Sequence, residues 1–367
     1  MIVKAITLDF FRNYLHLEAA FHPRINVIFG DNAQGKTNLL EAVAYLSSAS
    51  SHRARYDREL IQFGVDHAFV KGEVASRGRD FTLEASLHRG ARRQLLSNGV
   101  RLKNAGELAG ILNTVLFCPE DLYLIRAGAE ARRKFLDQCI CQLRPRYAVA
   151  LAEYKRLREH KTRILRDSAE HPDLLDTLDD FSLRMAQCGA ILVHYRAHFI
   201  KKLRQAAPPI HADCSGGRER LELEYRTVST VTDPEAPPKT LLPQLLDHQE
   251  SHRRAEIESR SCLSGPHKDD LSVSIDGCPA GAYASQGQTR TAALALKLAA
   301  RDIFYQDTQE WPVLLLDDVL SELDSRRQEF VLNRITSGQV FITCCEEEKL
   351  VHLREGTAFY IHDGRLA

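Results

Sequence analysis

Two periods of hydrophobic and polar alternation run along the chain, and the places where one gives way to the other divide it. Between Ile2 and Phe29 the alternation is strand-like in places, as in Tyr14-Leu15-His16-Leu17-Glu18. It predicts two β segments leading into a short apolar strand, Ile25–Phe29. A helix-like stretch follows from Asn38 to Ser47. Short antiparallel strands are predicted over His67–Ala75 and Asp80–His88 and around Asn98-Gly99, a strong hairpin-turn dipeptide. Thr114–Phe117 is another apolar strand. Beyond Gly128 the period lengthens: Leu151, Tyr154, Leu157, Ile164 and Leu165 recur at helical spacing, so packed, charged helices are expected as far as about Ala207. Pro208-Pro209, Gly216-Gly217 and Thr232–Pro238 predict loops around a strand at Leu221–Tyr225, and Leu241–Arg260 reads as a polar helix. Ala292–Ala300 favours helix, while Trp311–Asp318 and Gln339–Thr343 read as core strands. An α/β body in two lobes, 1–122 and 261–367, is thus expected to be interrupted by a helical arm, 123–260.

Composition changes this picture little. A chain of 367 residues can bury a large core, and 49 basic against 49 acidic residues leave no net charge, so any surface for nucleic acid must be local. The nine cysteines form no C-x-x-C pair, which fits buried thiols in a reducing compartment better than zinc or disulfides. No basic-then-apolar leader and no apolar run near the roughly 18 residues of a membrane span is present. A soluble, cytoplasmic protein is expected.

The sharpest chemical signal lies between the Ile25–Phe29 strand and the helix after it: Gly30-Asp31-Asn32-Ala33-Gln34-Gly35-Lys36-Thr37. Glycines let the backbone curl so that amides face phosphate oxygens, and the following helix adds its positive end. Lys36 is placed for the β- and γ-phosphates and the Thr37 hydroxyl for Mg²⁺. Far along the chain, the apolar strand Trp311–Asp318 ends in the two carboxylates Asp317-Asp318. Beside the phosphate-loop strand such a run would deliver Asp317 to the metal and Asp318 to the attacking water. Ser285-Gln286-Gly287-Gln288, opening the last long helix, offers either an ordinary N-cap or a second anion site.

Taken with Ser321-Glu322-Leu323-Asp324, these stretches resemble the Walker A, signature, Walker B and D-loop elements of an ABC-type ATPase head. More narrowly, Phe117–Leu122, Arg132–Asp137, Gly265–Leu271 and Leu315–Asp324 resemble the RecF family of recombination mediators, from the N-terminus through about Thr343. The resemblance implies a mixed sheet around the phosphate-loop core, an antiparallel β subdomain and the inserted helical arm. It implies a homodimer closed by ATP, with Ser285, Gly287 and Gln288 of one copy facing the phosphate held by Lys36 of the other and Asp324 at the seam. It further implies binding of double-stranded DNA near single-strand gaps, action with RecO and RecR, loading of RecA, and slow hydrolysis acting as a timer. Candidate DNA contacts are Arg53, Arg55, Arg132, Arg133, Lys134, Lys155, Arg156 and Lys161, cations that could neutralise phosphates.

This sequence departs from the ABC pattern at several points. Ala33 replaces a frequent glycine, Asp318 a frequent glutamate, Glu120 or Asp121 a frequent glutamine, and Thr343 or Cys344 fills the slot of the usual phosphate-sensing histidine. Three rival readings fit less well. A transporter ATPase subunit would place its signature turn nearer the phosphate loop, and a chromosome-structural ATPase would carry sustained heptads. A GTP switch would carry an Asn-Lys-x-Asp run.

Overall fold

The computed structural model describes residues 1–345 and 356–366. These fall into two compact units, Met1–Tyr123 with Ala293–Ala367, and Leu124–Ala292. The second unit extends past residue 260, the arm boundary expected from the sequence, and takes in the whole stretch to Ala292.

The first unit holds two six-stranded sheets. Strands β1 (Ile2–Phe11), β2 (Tyr14–Ala20), β4 (His67–Ser76), β5 (Arg79–His88), β6 (Gln94–Ser97) and β7 (Val100–Arg101) form an antiparallel sheet in the order β2-β1-β4-β5-β6-β7. Asn98 (φ 50°) and Gly99 (φ 75°) make the tight turn between β6 and β7. The second sheet contains β3 (Ile25–Phe29), β8 (Thr114–Phe117), β12 (Val313–Leu316), β13 (Val340–Cys344), β14 (Thr357–His362) and β15 (Arg365–Leu366). Its order is β15-β14-β3-β13-β12-β8, parallel except for the terminal β14–β15 hairpin.

The Asp317-Asp318 strand, β12, therefore does not lie beside the phosphate-loop strand as expected. β13 comes between them. Helix α1 (Lys36–Ser48) is buried through Leu39–Ser47, and one apolar cluster joins its Leu39, Leu40, Val43 and Tyr45 to residues of both sheets. A helix apolar on all sides belongs inside a core, and this burial anchors the phosphate loop at its N-terminal end.

In the second unit, α2 (Ala129–Leu143) and α4 (Leu178–Ser215) pack on a small sheet, β9 (Leu221–Arg226), β10 (Asp270–Ile275) and β11 (Cys278–Pro279), while α3 (Pro145–Asp167) and α5 (Pro238–Ser259) pack on α4. Short α6 (Ala280–Tyr283) precedes α7 (Gln286–Thr308), and α8 (Ser325–Arg334) belongs to the first unit. Pro208 and Pro209 lie inside α4 instead of ending it. Each removes an amide donor, but Ala207, Ile210, His211 and Cys214 are buried on the same stretch, and packing carries the helix on to Gly216 in the left-handed region. The RecF-like segment Gly265–Leu271 is a packing device here. Buried Arg196 donates to Asp137 (2.8 Å), Asp269 (3.0 Å) and the Pro266 carbonyl (2.6 Å), while Tyr225 and Thr227 hydroxyls complete the Asp269 carboxylate. His267 sits between the Tyr154 hydroxyl and the Cys262 carbonyl, and burial lowers its pKa to about 4, so the ring is neutral at pH 7.

Candidate nucleotide site

The phosphate loop is held from three sides. Lys36, buried at the start of α1, donates to the carbonyls of Gly30 (2.6 Å) and Asp31 (3.0 Å). Asn13 Nδ2 donates to the Gln34 carbonyl (2.8 Å), and the Tyr14 hydroxyl to the Gly35 carbonyl (2.9 Å). From the β14–β15 turn, the Asp363 amide donates to Gln34 Oε1 (2.6 Å). Gly35 is required on two counts: its φ is 120°, and a Cβ there would stand 2.7 Å from Asn13 Nδ2 and 2.9 Å from the Tyr14 hydroxyl. Ala33 adopts the left-handed region (φ 65°) that the usual glycine would enter without strain.

Asp317, at the end of β12, reaches this loop although β13 intervenes. The Thr37 hydroxyl donates to Asp317 Oδ1 (2.9 Å), as does the Thr343 hydroxyl of β13 (2.9 Å). Burial pushes the Asp317 carboxyl above the ordinary carboxylate range, against the downward pull of these two hydroxyls. A buried carboxylate beside a hydroxyl, both hard oxygen donors, suits a small divalent cation. Among the described residues no cluster of three or more His, Cys, Asp or Glu side chains could hold a metal, so the remaining ligands would be water and phosphate oxygens. Asp318 is half-buried at φ 49°, and its amide donates to Thr343 Oγ1 (2.8 Å).

Two of the alternatives left open by the sequence concern residues near this site. Asp121 pairs with Lys297 (2.7 Å) and accepts from the Cys118 amide (3.0 Å), so it is a structural cap, whereas Glu120 is exposed. At the histidine slot, Thr343 turns toward the aspartates and Cys344 ends β13. It is Cys345 that meets the loop, its thiol donating to Asn32 Oδ1 (3.1 Å) and accepting from Lys36 Nζ at 3.7 Å.

Beside the loop lies a cleft of about 600 Å³ lined by Arg12, Asn13, Asn38, Arg53, Ile61 and Phe63 among others. Arg12 is fixed there by a two-pronged bond to buried Glu41 (2.8 Å each). The lining is mostly polar and cationic, with Ile61 and an exposed Phe63 as its apolar side chains. Arg12, Ile61 and Phe63 carry no motif spacing, and the sequence alone does not place them in this cleft.

At the start of α7, the Ser285 amide donates to Gln288 Oε1 (2.8 Å) and the Gln288 amide to Ser285 Oγ (3.2 Å). This is a reciprocal capping box, and it occupies the Gln288 side chain. Asp324 likewise caps α8, accepting from the Arg327 amide (3.0 Å).

The candidate DNA contacts divide sharply. Lys161 is buried in an ion pair with Glu256 (2.7 Å), and Arg132 grips Asp270 with two bonds (2.8 and 2.9 Å). Arg133 donates to the Asp269 carbonyl (2.6 Å) and Arg156 pairs with Glu153 (2.7 Å). The charge of Lys161 is thus withdrawn from solvent, and that of Arg132 is spent on holding β10. Arg53 donates to Asn38 (3.1 Å) in the cleft, so it stands at the nucleotide loop. Arg55, Lys134 and Lys155 are exposed. Lys161→Ala is expected to cost about 3–5 kcal/mol of stability, because Glu256 is left buried without its cation. Thermal unfolding measures this loss, and an unchanged melting temperature with weaker DNA binding would reverse the assignment.

A phosphate loop on a parallel sheet, a distant carboxylate returned to its threonine and an antiparallel flanking sheet define an ABC-type ATPase head. The RecF/RecN/SMC N terminal domain matches residues 2–364. The DNA replication and repair protein RecF of Agathobacter rectalis is 39% identical over 355 residues, 96% of this chain and 95% of that protein. RecF of Listeria innocua serovar 6a is also 39% identical, over 99% of each chain. The structure of the recombination mediator protein RecF with ATP in the RecFOR pathway matches with a TM-score of 0.90 at 33% identity, covering 100% of this chain and 97% of that one. A Pyrococcus furiosus Smc head matches with a TM-score of 0.56 at 16% identity, a likeness of fold alone. The chain belongs to the RecF family of DNA replication and repair proteins.

Proposed function

We propose that this chain is a cytoplasmic recombination mediator that two ATP molecules clamp into a homodimer on double-stranded DNA near single-strand gaps. There it acts with RecO and RecR, promotes RecA loading in repair and the SOS response, and times its stay by slow hydrolysis. The observation that carries the ATP-dependent part is the 2.9 Å bond between Thr37 and Asp317, which brings the two halves of a phosphate-and-metal site together. RecF solved with ATP supports the same ligand here. Thr37 and Asp317 would hold Mg²⁺, which when bound supplies charge neutralisation at the phosphates. Lys36 and the loop amides orient the triphosphate, Arg53 adds a cation at its flank, and the Asp318 carboxylate receives the proton of the attacking water.

Each chain carries one phosphate loop and one Ser285 turn, and in this reading a complete site takes the two from different copies. Losing the γ-phosphate removes the charge the two anion sites share and opens the clamp. No helix among the described residues is long and apolar enough to cross a membrane.

The test is the molecular mass without nucleotide, with ADP and with ATP, each with and without duplex DNA. Dimers confined to ATP, with salt-sensitive DNA binding, are expected. A single copy in saturating ATP, holding duplex equally well without it, would overturn the reading. Ser285→Arg is expected to leave ATP binding by the single copy intact and to block dimerisation. Loss of ATP binding by the single copy would refute a contribution from the opposite subunit.

A further inference from the structure

We propose that Thr343 is a positioning residue for hydrolysis: its one hydroxyl fixes both carboxylate residues of the Asp317-Asp318 pair. The inference rests on the reading of that pair given above and deepens it. Thr343 Oγ1 accepts the Asp318 amide at 2.8 Å, and its single proton is directed to Asp317 Oδ1 at 2.9 Å. The direction of the chain is thereby set, from the Asp318 N–H through the Thr343 O–H to the Asp317 carboxylate. Bonds in series polarise one another in a water-poor site, and Thr343 and Asp317 are only 1% and 4% exposed.

Two consequences follow for the chemistry. Asp317 Oδ1 accepts from two hydroxyls, Thr37 on α1 and Thr343 on β13, which restrain the carboxylate from turning away from the phosphate loop. Asp318 is held at φ 49° and ψ 9°, a region that side chains with a Cβ seldom occupy. The bond from its amide to Thr343 opposes relaxation to an ordinary conformation and so aims the acid that meets water. β13 pairs with β3 on one edge and β12 on the other, which makes it a rigid base for this hydroxyl. A serine could reproduce both bonds. A valine, matching the threonine in shape, could make neither.

The full-length chain carrying Thr343→Val or Thr343→Ser tests the proposal. For the valine variant, the Kd for ATP with Mg²⁺ is expected to stay within about threefold of the parent while kcat falls about 10- to 100-fold. Without nucleotide, amide hydrogen exchange in the peptide 316–320 is expected to quicken about tenfold, because the Asp318 amide loses its acceptor. The serine variant should restore both values to within about threefold. Valine turnover and exchange equal to the parent's would overturn the proposal. So would a valine variant whose ATP binding, turnover and melting temperature fall together without rescue by serine. If the parent chain binds ATP but never hydrolyses it, the proposed timer fails instead. The exchange measurement then still decides whether Thr343 holds Asp318.

Discussion

Lys36→Ala is expected to weaken ATP binding at least about a hundredfold, about 3 kcal/mol, and to remove ATP-dependent dimerisation with it. The ammonium lies buried where α1 begins, within reach of the curled loop's own carbonyls. A triphosphate entering the loop would exchange those neutral acceptors for charged oxygens, and charge-assisted bonds are roughly twice as strong. Alanine has nothing to exchange. Titration with ATP, followed by a mass measurement in saturating ATP, checks both halves of the result. Binding at the parent's affinity would refute the loop assignment. Because the Asn13, Tyr14 and Asp363 bonds to the loop are untouched, the melting temperature should change little.

Asp318→Asn is expected to slow hydrolysis by about 10²–10⁴ while sparing ATP binding, so that the closed dimer accumulates. The substitution isolates charge from shape. Asparagine tolerates the left-handed conformation at least as well as aspartate, and its amide nitrogen still donates to Thr343. Phosphate release and sedimentation in ATP measure the two outcomes. Undiminished release, or only single copies in ATP, would count against a hydrolytic role for this carboxylate.

The phosphate loop was legible in the sequence because its parts are contiguous: an apolar strand, glycines, lysine, threonine, helix. The link from Thr37 to Asp317 spans 280 positions, and only the acid pair closing an apolar run betrayed it. The strand order was not legible. Periodicity identifies β12 and β13 as core strands but says nothing about which of them borders β3. Charge was read least well, because a sequence shows cations without their partners. Lys161 and Arg132 stand among exposed basic residues in the chain, yet Glu256 and Asp270, more than ninety positions away by the numbering, claim them. Pro208-Pro209 failed as a stop signal because burial outweighed local preference. Thr343 could not be singled out, since a lone threonine in an apolar strand has no spacing to mark its hydroxyl.

The position of β3 bears on how the protein is made. Both strands that border it, β13 and β14, come from residues beyond 339, and so does the turn that bonds Gln34. While the polypeptide is being synthesised, this apolar strand must wait with two open edges until the residues beyond 339 have left the ribosome. The second unit, encoded in between, has all its own strand partners in hand well before then. Such late, non-local pairing is slow and exposes sticky edges. The phosphate loop is therefore completed only after β13 and β14 emerge, and until then the newborn N-terminal lobe carries an unpaired apolar strand.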